Sequence, residues 1–309
     1  MLMKKTNPIA VIVGSGGQDG QLLTEKLHGI GYQVVGLKRD SINIMNPMEV
    51  TNLVSDIQPN EIYFLAAHHH SSEEACESEG ELFRQSFNIN TVAVVNFLDA
   101  ITIHSPASRF FYASSSHIFP PAGNEMQAED TAPRPESAYA ITKVSGMLVC
   151  QHYRDTKGVF ASVGILYNHE SPLRARRFIS RKIASAAAKI AREGSGSLTL
   201  GNLETNVDWG YAPDYVDAMH RILQLPEPAD YVVATGEPHS IREFVEIAFD
   251  HLGLDYSRYV KTDPQILARN SLVRVGDSSR LRNDTGWAPT ICFAEMVRRL
   301  VDAETNTHE

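Results

Sequence analysis

Cysteine is scarce. Cys76, Cys150 and Cys292 are the only three among 309 residues, odd in number and without C-x-x-C spacing. This excludes a disulfide scaffold and a cysteine-built zinc site, and fits a reducing cytoplasm. Long hydrophobic runs are also missing. No apolar stretch approaches the roughly 18 residues that cross a bilayer, and residues 9–13 are too short for a signal-peptide core. The expectation is a soluble, cytoplasmic chain with no membrane partner. Basic runs are absent too: 28 Lys and Arg against 37 Asp and Glu leave a net charge of −9. A chain with this balance gains nothing from displacing counterions on a phosphate backbone, so no nucleic acid is expected as partner. Hydrophobic residues at 43% and charged ones at 21% exclude a disordered or fibrous chain. The length allows one large domain or two intimately joined ones.

What is present is alternation. Short β-branched runs at residues 9–13, 33–37, 61–65, 109–113 and 159–166 are separated by helical patterns at 18–30, 47–57, 81–103 and 137–155. Apolar strands without polar alternation, interleaved with helices, predict an α/β fold: a doubly wound parallel sheet of Rossmann type covered on both faces. The second half is less regular, with helices predicted at 177–193, 211–224, 240–252 and 294–302 and short strands at 197–200 and 231–234. The division expected is a dinucleotide-binding domain over residues 1–166 and a smaller mixed α/β part over 167–309. The second part is mainly substrate-binding, with some segments returning to the first sheet and a cleft between the two.

The run Gly14-Ser15-Gly16-Gly17-Gln18-Asp19-Gly20 follows the first strand and opens a helix. In this context Gly14 permits a tight turn, Gly17 close approach of a pyrophosphate and Gly20 close packing of helix on strand, while the helix start holds the anion. After the second strand stand Lys38 and Arg39, two cations where a 2′-phosphate would lie, which favours NADP; Asp40 beside them could instead serve a ribose 2′-hydroxyl.

Ser137-Ala138-Tyr139-Ala140-Ile141-Thr142-Lys143 places a tyrosine and a lysine four apart at a helix start, on one face. A cation near the phenol would lower its pKa from near 10 and make Tyr139 a usable base. Upstream, Ser114-Ser115-Ser116-His117 ends the strand that begins at Arg109, putting hydroxyls where a nicotinamide would lie. In these features the chain resembles the extended short-chain dehydrogenase/reductase family. There the Tyr/Lys pair and an upstream Ser or Thr pass a proton while hydride moves to or from the nicotinamide.

A closer resemblance is to the GDP-mannose 4,6-dehydratase family. It is carried by Gly17-Gln18-Asp19-Gly20, Lys38-Arg39, Gln58-Pro59-Asn60-Glu61-Ile62-Tyr63 and Leu65-Ala66-Ala67. Tyr167-Asn168-His169-Glu170-Ser171-Pro172, Arg181-Lys182-Ile183, Asp208-Trp209-Gly210 and Gly286-Trp287-Ala288-Pro289 extend it over nearly the whole chain. The resemblance implies a redox-neutral reaction on a nucleotide-diphosphate sugar, a GDP-linked hexose. In it Tyr139 takes the C4 hydroxyl proton, NADP accepts the C4 hydride, water leaves across C5–C6 and the hydride returns to C6. It implies Ser115, Tyr139 and Lys143 as catalytic residues. Gly14, Gly17, Gln18, Asp19, Gly20, Lys38, Arg39, Asn43, Leu65, Ala66, Ala67, His169 and Arg174 would bind the cofactor, the arginine from a neighbouring subunit. Asn168, Lys182 and Arg269 would face the substrate. The helix at 81–103 and the Tyr139 helix resemble a pair that forms a dimer bundle, implying a homodimer or homotetramer.

Departures from the pattern leave alternatives open. His117 stands where the dehydratases place a glutamate that removes the C5 proton; imidazole can act as that base, or as a proton donor in an NADPH-dependent 4-keto-sugar reductase or epimerase. Val207 replaces an arginine before Asp208-Trp209, and Asn43 and Asn46 replace aspartates. A non-catalytic dinucleotide sensor is the remaining reading. The run His68-His69-His70, with Glu73, Glu74 and Cys76, invites a metal, but neighbouring side chains of an extended segment point to opposite faces. No metal site is expected.

Overall fold

A computed structural model describes residues 7–68, 78–121, 125–266 and 273–306. In chain order the first half forms β1 (Ile9–Val13), α1 (Gln18–Gly29), β2 (Gln33–Leu37), α2 (Pro47–Ile57), β3 (Glu61–Phe64), α3 (Glu79–Phe87), a π-helical turn (Asn88–Val92), α4 (Ala93–His104), β4 (Arg109–Ser115), a 3₁₀ turn (Ser116–Ile118), α5 (Ala138–Lys157) and β5 (Phe160–Leu166). The second half adds β6 (Asn168–Glu170), α6 (Ile179–Glu193), β7 (Leu198–Leu200), β8 (Asn206–Tyr211), α7 (Ala212–Gln224), β9 (Asp230–Val233), β10 (Pro238–Ser240), α8 (Ile241–Asp250), β11 (Val260–Thr262), α9 (Ser279–Thr285) and α10 (Phe293–Asn306).

The main sheet runs β2-β1-β3-β4-β5-β9, parallel throughout. Every residue of β3, and all of β1 after Ile9, is buried, as the uninterrupted apolar runs predict for strands covered on both faces. The expected Rossmann-type architecture is the one observed. The order places β1 beside β3, with β2 outside it. The turn after β1 and the serines after β4 therefore open onto the same, carboxyl edge, where ligands of such sheets bind.

The sheet's apolar cluster extends past residue 166: Tyr215, Met219, Ile222, Val232, Leu281 and Trp287 belong to it. A second cluster unites Ile183, Ala187, Leu200, Trp209, Phe244, Phe249, Val297 and Leu300 under a small β10-β8-β6 sheet. That sheet is absent from the sequence-based assignment, because β6 and β10 are three residues each and β8 mixes polar with apolar residues.

One expectation needs correction. The continuous helical stretch Glu79–His104 is long and apolar enough to cross a membrane by length and composition alone. The hydrophobicity has a local cause: α4 buries Ala93, Val94, Phe97, Leu98 and Ile101 in the core of the main sheet. Such a helix is apolar on more than one face because it is covered on more than one face. The π turn in its middle answers to α5. Gly146 lies so close that a β-carbon there would strike Asn90 O and the Tyr112 hydroxyl.

Candidate active site

The glycine turn is shaped by two close approaches. Gly14 has φ +95°, and a β-carbon there would lie 2.8 Å from Ala66 N and 3.1 Å from Leu65 C. The N–H groups of Gly14 and Ser15 both donate to Leu37 O, at 2.9 and 3.1 Å. Gly20 faces Gly14 O and Ser15 Cα, the latter 2.6 Å from a would-be β-carbon, so only glycine lets α1 settle on the turn. Gly17 is the N-cap of α1 and supplies no side-chain cap, leaving the first-turn N–H groups to whatever lies beyond. Gly36, not singled out from the sequence, makes room for Ser15, whose side chain is 2.9 Å from a β-carbon placed there.

Lys38 follows on the exposed side, its Cγ 3.8 Å from a β-carbon placed on Gly16. Arg39 is exposed next to it, and Asn43 is exposed with its Oδ1 accepting from Met45 N at 3.1 Å. Leu65 and Ala66 form the backbone wall against Gly14, Leu65 N donating to Val13 O at 2.9 Å; Ala67 is exposed.

Beyond β4, Ser114, Ser115 and Ser116 are all buried. Ser115 Oγ accepts from the His117 N–H at 3.3 Å, which leaves its own proton for the phenol of Tyr139. The His117 ring meets Tyr139 edge-on, centroids 6.4 Å apart. Tyr139 sits in the first turn of α5, which Ser137 caps by accepting from Ala140 N at 3.2 Å.

Lys143 lies on the same face of α5 as Tyr139, as the four-residue spacing predicts. Its Nζ donates to Ala113 O at 2.8 Å and lies 5.7 Å from the Tyr139 ring centroid. Burial pushes the Tyr139 phenol above its usual value, opposed by the Ser115 hydrogen bond and then by the Arg174 charge. Burial also draws the Lys143 amine down to about 7 from 10.5. Between those values the unfolded chain binds a proton that the folded chain does not, so stability contributed here rises with pH across that window. A melting-temperature series from about pH 7 to about pH 9.5 should show this rise, and Lys143→Met should remove it.

Residues 168–172 act as a clamp. Gln18 Nε2 donates to His169 O at 3.1 Å, and the Ser171 hydroxyl donates to Gln18 Oε1 at 2.9 Å. Nδ1 of His169 is 2.7 Å from Tyr167 O, and Nε2 is 3.0 Å from both carboxylate oxygens of Asp19. A carbonyl and an ionised carboxylate only accept, so both contacts are satisfied together when both ring nitrogens carry protons. Burial alone would lower the His169 pKa, but the Asp19 charge outweighs it and raises it; Asp19 in turn is held below its usual value by His169, against the effect of its own burial. The His169 ring is thereby committed to protein partners.

Glu170 accepts from the Ser180 hydroxyl at 2.6 Å and pairs with Arg174 Nε at 3.4 Å. The Arg174 guanidinium lies 3.6 Å over the Phe178 ring, and its charge acts on Tyr139, Asp19 and His169 of its own chain. Within the single chain the guanidinium therefore stands beside the tyrosine and the glycine turn. Arg181 ties the clamp to α10 through Glu304, with Nε–Oε1 at 2.9 Å and both residues buried.

Asn168 begins β6, half-buried and in register with Trp209, and Lys182 lies half-buried in the first turn of α6. Asp208 is turned inward, accepting from Thr235 N at 3.0 Å and from Gly236 N and Gly276 N at 3.1 Å each. Arg269, His69, His70, Glu73, Glu74 and Cys76 lie outside the described residues, among which no group of three His, Cys, Asp or Glu is arranged to hold a metal.

Sequence reasoning missed Asn90. Its Nδ2 donates to Thr142 Oγ1 at 3.0 Å, its Oδ1 accepts from His68 N at 3.3 Å and its carbonyl accepts from the Tyr112 hydroxyl at 2.8 Å. A π turn frequently marks a functional site, but the i→i+5 bonding leaves no trace in residue type.

The sequence profile of the GDP-mannose 4,6 dehydratase family matches residues 41–300. GDP-mannose 4,6 dehydratase 2 of Arabidopsis thaliana is 34% identical over 96% of this chain and 86% of its own length. The human GDP-mannose 4,6 dehydratase is 31% identical over 98% of this chain and 92% of its own. Among solved structures, RMD from Pseudomonas aeruginosa complexed with NADPH superposes with a TM-score of 0.85, at 22% identity, over 97% of this chain and all of that one. A profile match of this extent, joined to full-length relatives above 30% identity and to a glycine turn, serine, tyrosine and lysine gathered on one sheet edge, places the chain in the GDP-mannose 4,6-dehydratase family.

Proposed function

We propose that the protein is an NADP-dependent nucleotide-diphosphate-sugar 4,6-dehydratase acting on a GDP-linked hexose. The observation that carries this reading is the hydrogen-bonded Ser115–Tyr139 pair with His117 against the tyrosine ring, at the carboxyl edge of the sheet.

The residues fit a dinucleotide. Gly14 and Gly17 keep the turn free of side chains, and the start of α1 has no side-chain cap. The buried hydroxyls of Ser15 and Ser114 have no hydrogen-bond partner among the described residues. Lys38 and Arg39 would hold a 2′-phosphate, which supports NADP over NAD. A bound nicotinamide supplies a reversible store for one hydride. The chain moves the protons: Tyr139 takes that of the C4 hydroxyl, Ser115 orients the same oxygen, and His117 removes the C5 proton once C4 is a ketone. Asn168 and Lys182 supply amide and ammonium donors to the substrate diphosphate.

A second reading follows from His117 standing in place of the dehydratase glutamate: proton donation in a 4-keto-sugar reductase or epimerase. Incubation of GDP-mannose with trace NADP⁺ decides between them. A product lighter by one water with no net change in cofactor supports the dehydratase. Mole-for-mole NADPH consumption with a keto-sugar supports the reductase, and no conversion of any GDP-hexose sinks the leading reading. In the dehydratase, His117→Gln should lower kcat about 100-fold or more with little change in KM, because it removes one general base.

We further propose a cytoplasmic homodimer or homotetramer, supported by the exposed Phe87 and Leu148 on the mutually packed α3 and α5. Light scattering of the purified chain tests it, and a monomer at micromolar concentration would refute it.

A further inference from the structure

Asp19 is an odd residue to find in the first turn of α1. That turn carries the N–H groups and the positive dipole end expected to hold a dinucleotide's pyrophosphate, and a bare carboxylate there would repel it. The structure offers a reason for tolerating it. The carboxylate is covered by the His169 imidazole, both of its oxygens 3.0 Å from Nε2, and the ring is fixed from behind by Tyr167 O and stacked on Tyr215 with centroids 4.5 Å apart.

We propose that His169 is a positioning residue whose proton neutralises Asp19 beside the pyrophosphate subsite, so that dinucleotide affinity depends on the charge state of the His169–Asp19 pair. This inference rests on the dinucleotide reading above and adds to it a built-in sensitivity to pH. With His169 protonated, the pair is neutral as a unit and holds α1 against residues 168–172. Without the proton, the carboxylate keeps its full charge at the mouth of the anion site and the imidazole loses its ionic hold on α1.

The groups around His169 set the direction. Asp19 on α1 favours the charged ring; Arg174, on the segment after β6, disfavours it, as burial does. Glu170 on its own strand is engaged by Ser180 and Arg174. From α7, Tyr215 stacks on the ring, and Asp214 is occupied by Thr290 N and Oγ1 at 3.0 and 2.6 Å. From β8, Asp208 is occupied by Thr235, Gly236 and Gly276. Asp19 alone, then, faces His169 with a carboxylate engaged by no cation nearer than the ring. The folded pKa of His169 lies above 6.5, so the neutral pair is present below it and lost as pH rises through it. Asp19, held low, loses its charge only on strong acidification.

The test measures NADP⁺ binding by calorimetry from about pH 7 to about pH 10, where the 2′-phosphate, with a pKa of about 6, stays fully ionised. Wild-type affinity should fall about tenfold across one step, a coupling of ordinary size. Asp19→Asn should abolish the step. His169→Gln should bind about tenfold more weakly at every pH, and the double substitution should recover most of that loss, since no carboxylate remains to be neutralised. A merely structural ion pair predicts the opposite for the double variant: affinity no better than that of His169→Gln. That result overturns the proposal, as does a pH-independent wild type or a step that survives Asp19→Asn, which would belong to another group such as Lys143. A carbon-proton NMR titration of His169 without any nucleotide supplies an independent reading. A pKa above 6.5 that falls by about one unit or more in Asp19→Asn supports the pair, and a wild-type value at or below 6.5 overturns it. Complete failure to bind NADP⁺ overturns the dinucleotide reading itself, a failure that the nucleotide-free titration separates from failure of the ion pair.

Discussion

Tyr139→Phe is expected to lower kcat about 10³-fold while leaving NADP⁺ affinity within about threefold of wild type, since it removes one general acid–base group. The substitution deletes the single oxygen hydrogen-bonded by Ser115 and leaves the ring that packs edge-on against His117. Steady-state kinetics together with direct binding checks both halves. Loss of turnover with intact binding is the outcome for an enzyme, whereas a dinucleotide sensor would be indifferent to the change. The pH dependence has a definite sign. Burial holds the phenol protonated beyond its ordinary range, with Ser115 and Arg174 pulling the other way, so kcat should increase as pH rises above neutrality and the basic form becomes populated. Ser115→Ala removes the strongest of the opposing effects and should push that increase to higher pH.

Gly14→Ala should weaken NADP⁺ binding at least about 100-fold and lower the melting temperature by several degrees. Two costs add. A side chain at φ +95° is strained, by about 1–3 kcal/mol, and the new methyl would sit 2.8 Å from Ala66 N, where backbone must yield, a further cost of about 1–3 kcal/mol. The affinity falls because the displaced backbone is the wall of the turn itself, held to Leu37 O by two hydrogen bonds. Gly29→Ala is the matched control. A β-carbon there meets nothing within 4 Å at a negative φ, so the same substitution at the far end of α1 should be neutral or slightly stabilising. Equal damage from both would mean that α1 fails through some cause other than steric crowding of the turn.

Legibility divided along physical lines. Strand β1 is legible to the residue, since a strand buried on both faces announces itself as an unbroken apolar run, and the edge strand β2 is legible through its Val-Val pair between polar residues and the glycine-bearing turn. Helix α5 was placed within two residues at each end, its start marked by the Ser137 cap and its end by Gly158 at φ +66°. The β10-β8-β6 sheet was not read: strands of three residues carry too little periodicity, and their pairing is fixed by partners distant in sequence. Lys143 shows the same limit at the site. Its spacing from Tyr139 gives a shared helix face, but the hydrogen bond of the amine goes to Ala113 O, a strand carbonyl that spacing within a helix cannot reveal.

Residue identity and local order, by themselves, determined the parallel sheet, the glycine turn and the list of chemically able side chains, because each depends on neighbours within one turn or one strand. Only the tertiary structure decided that Asp19 meets His169 and that Glu304 anchors the 172–181 segment through Arg181. These are charge pairings across more than 100 residues or between packed layers. Burial sets their strength, and burial exists only once the chain has closed around them.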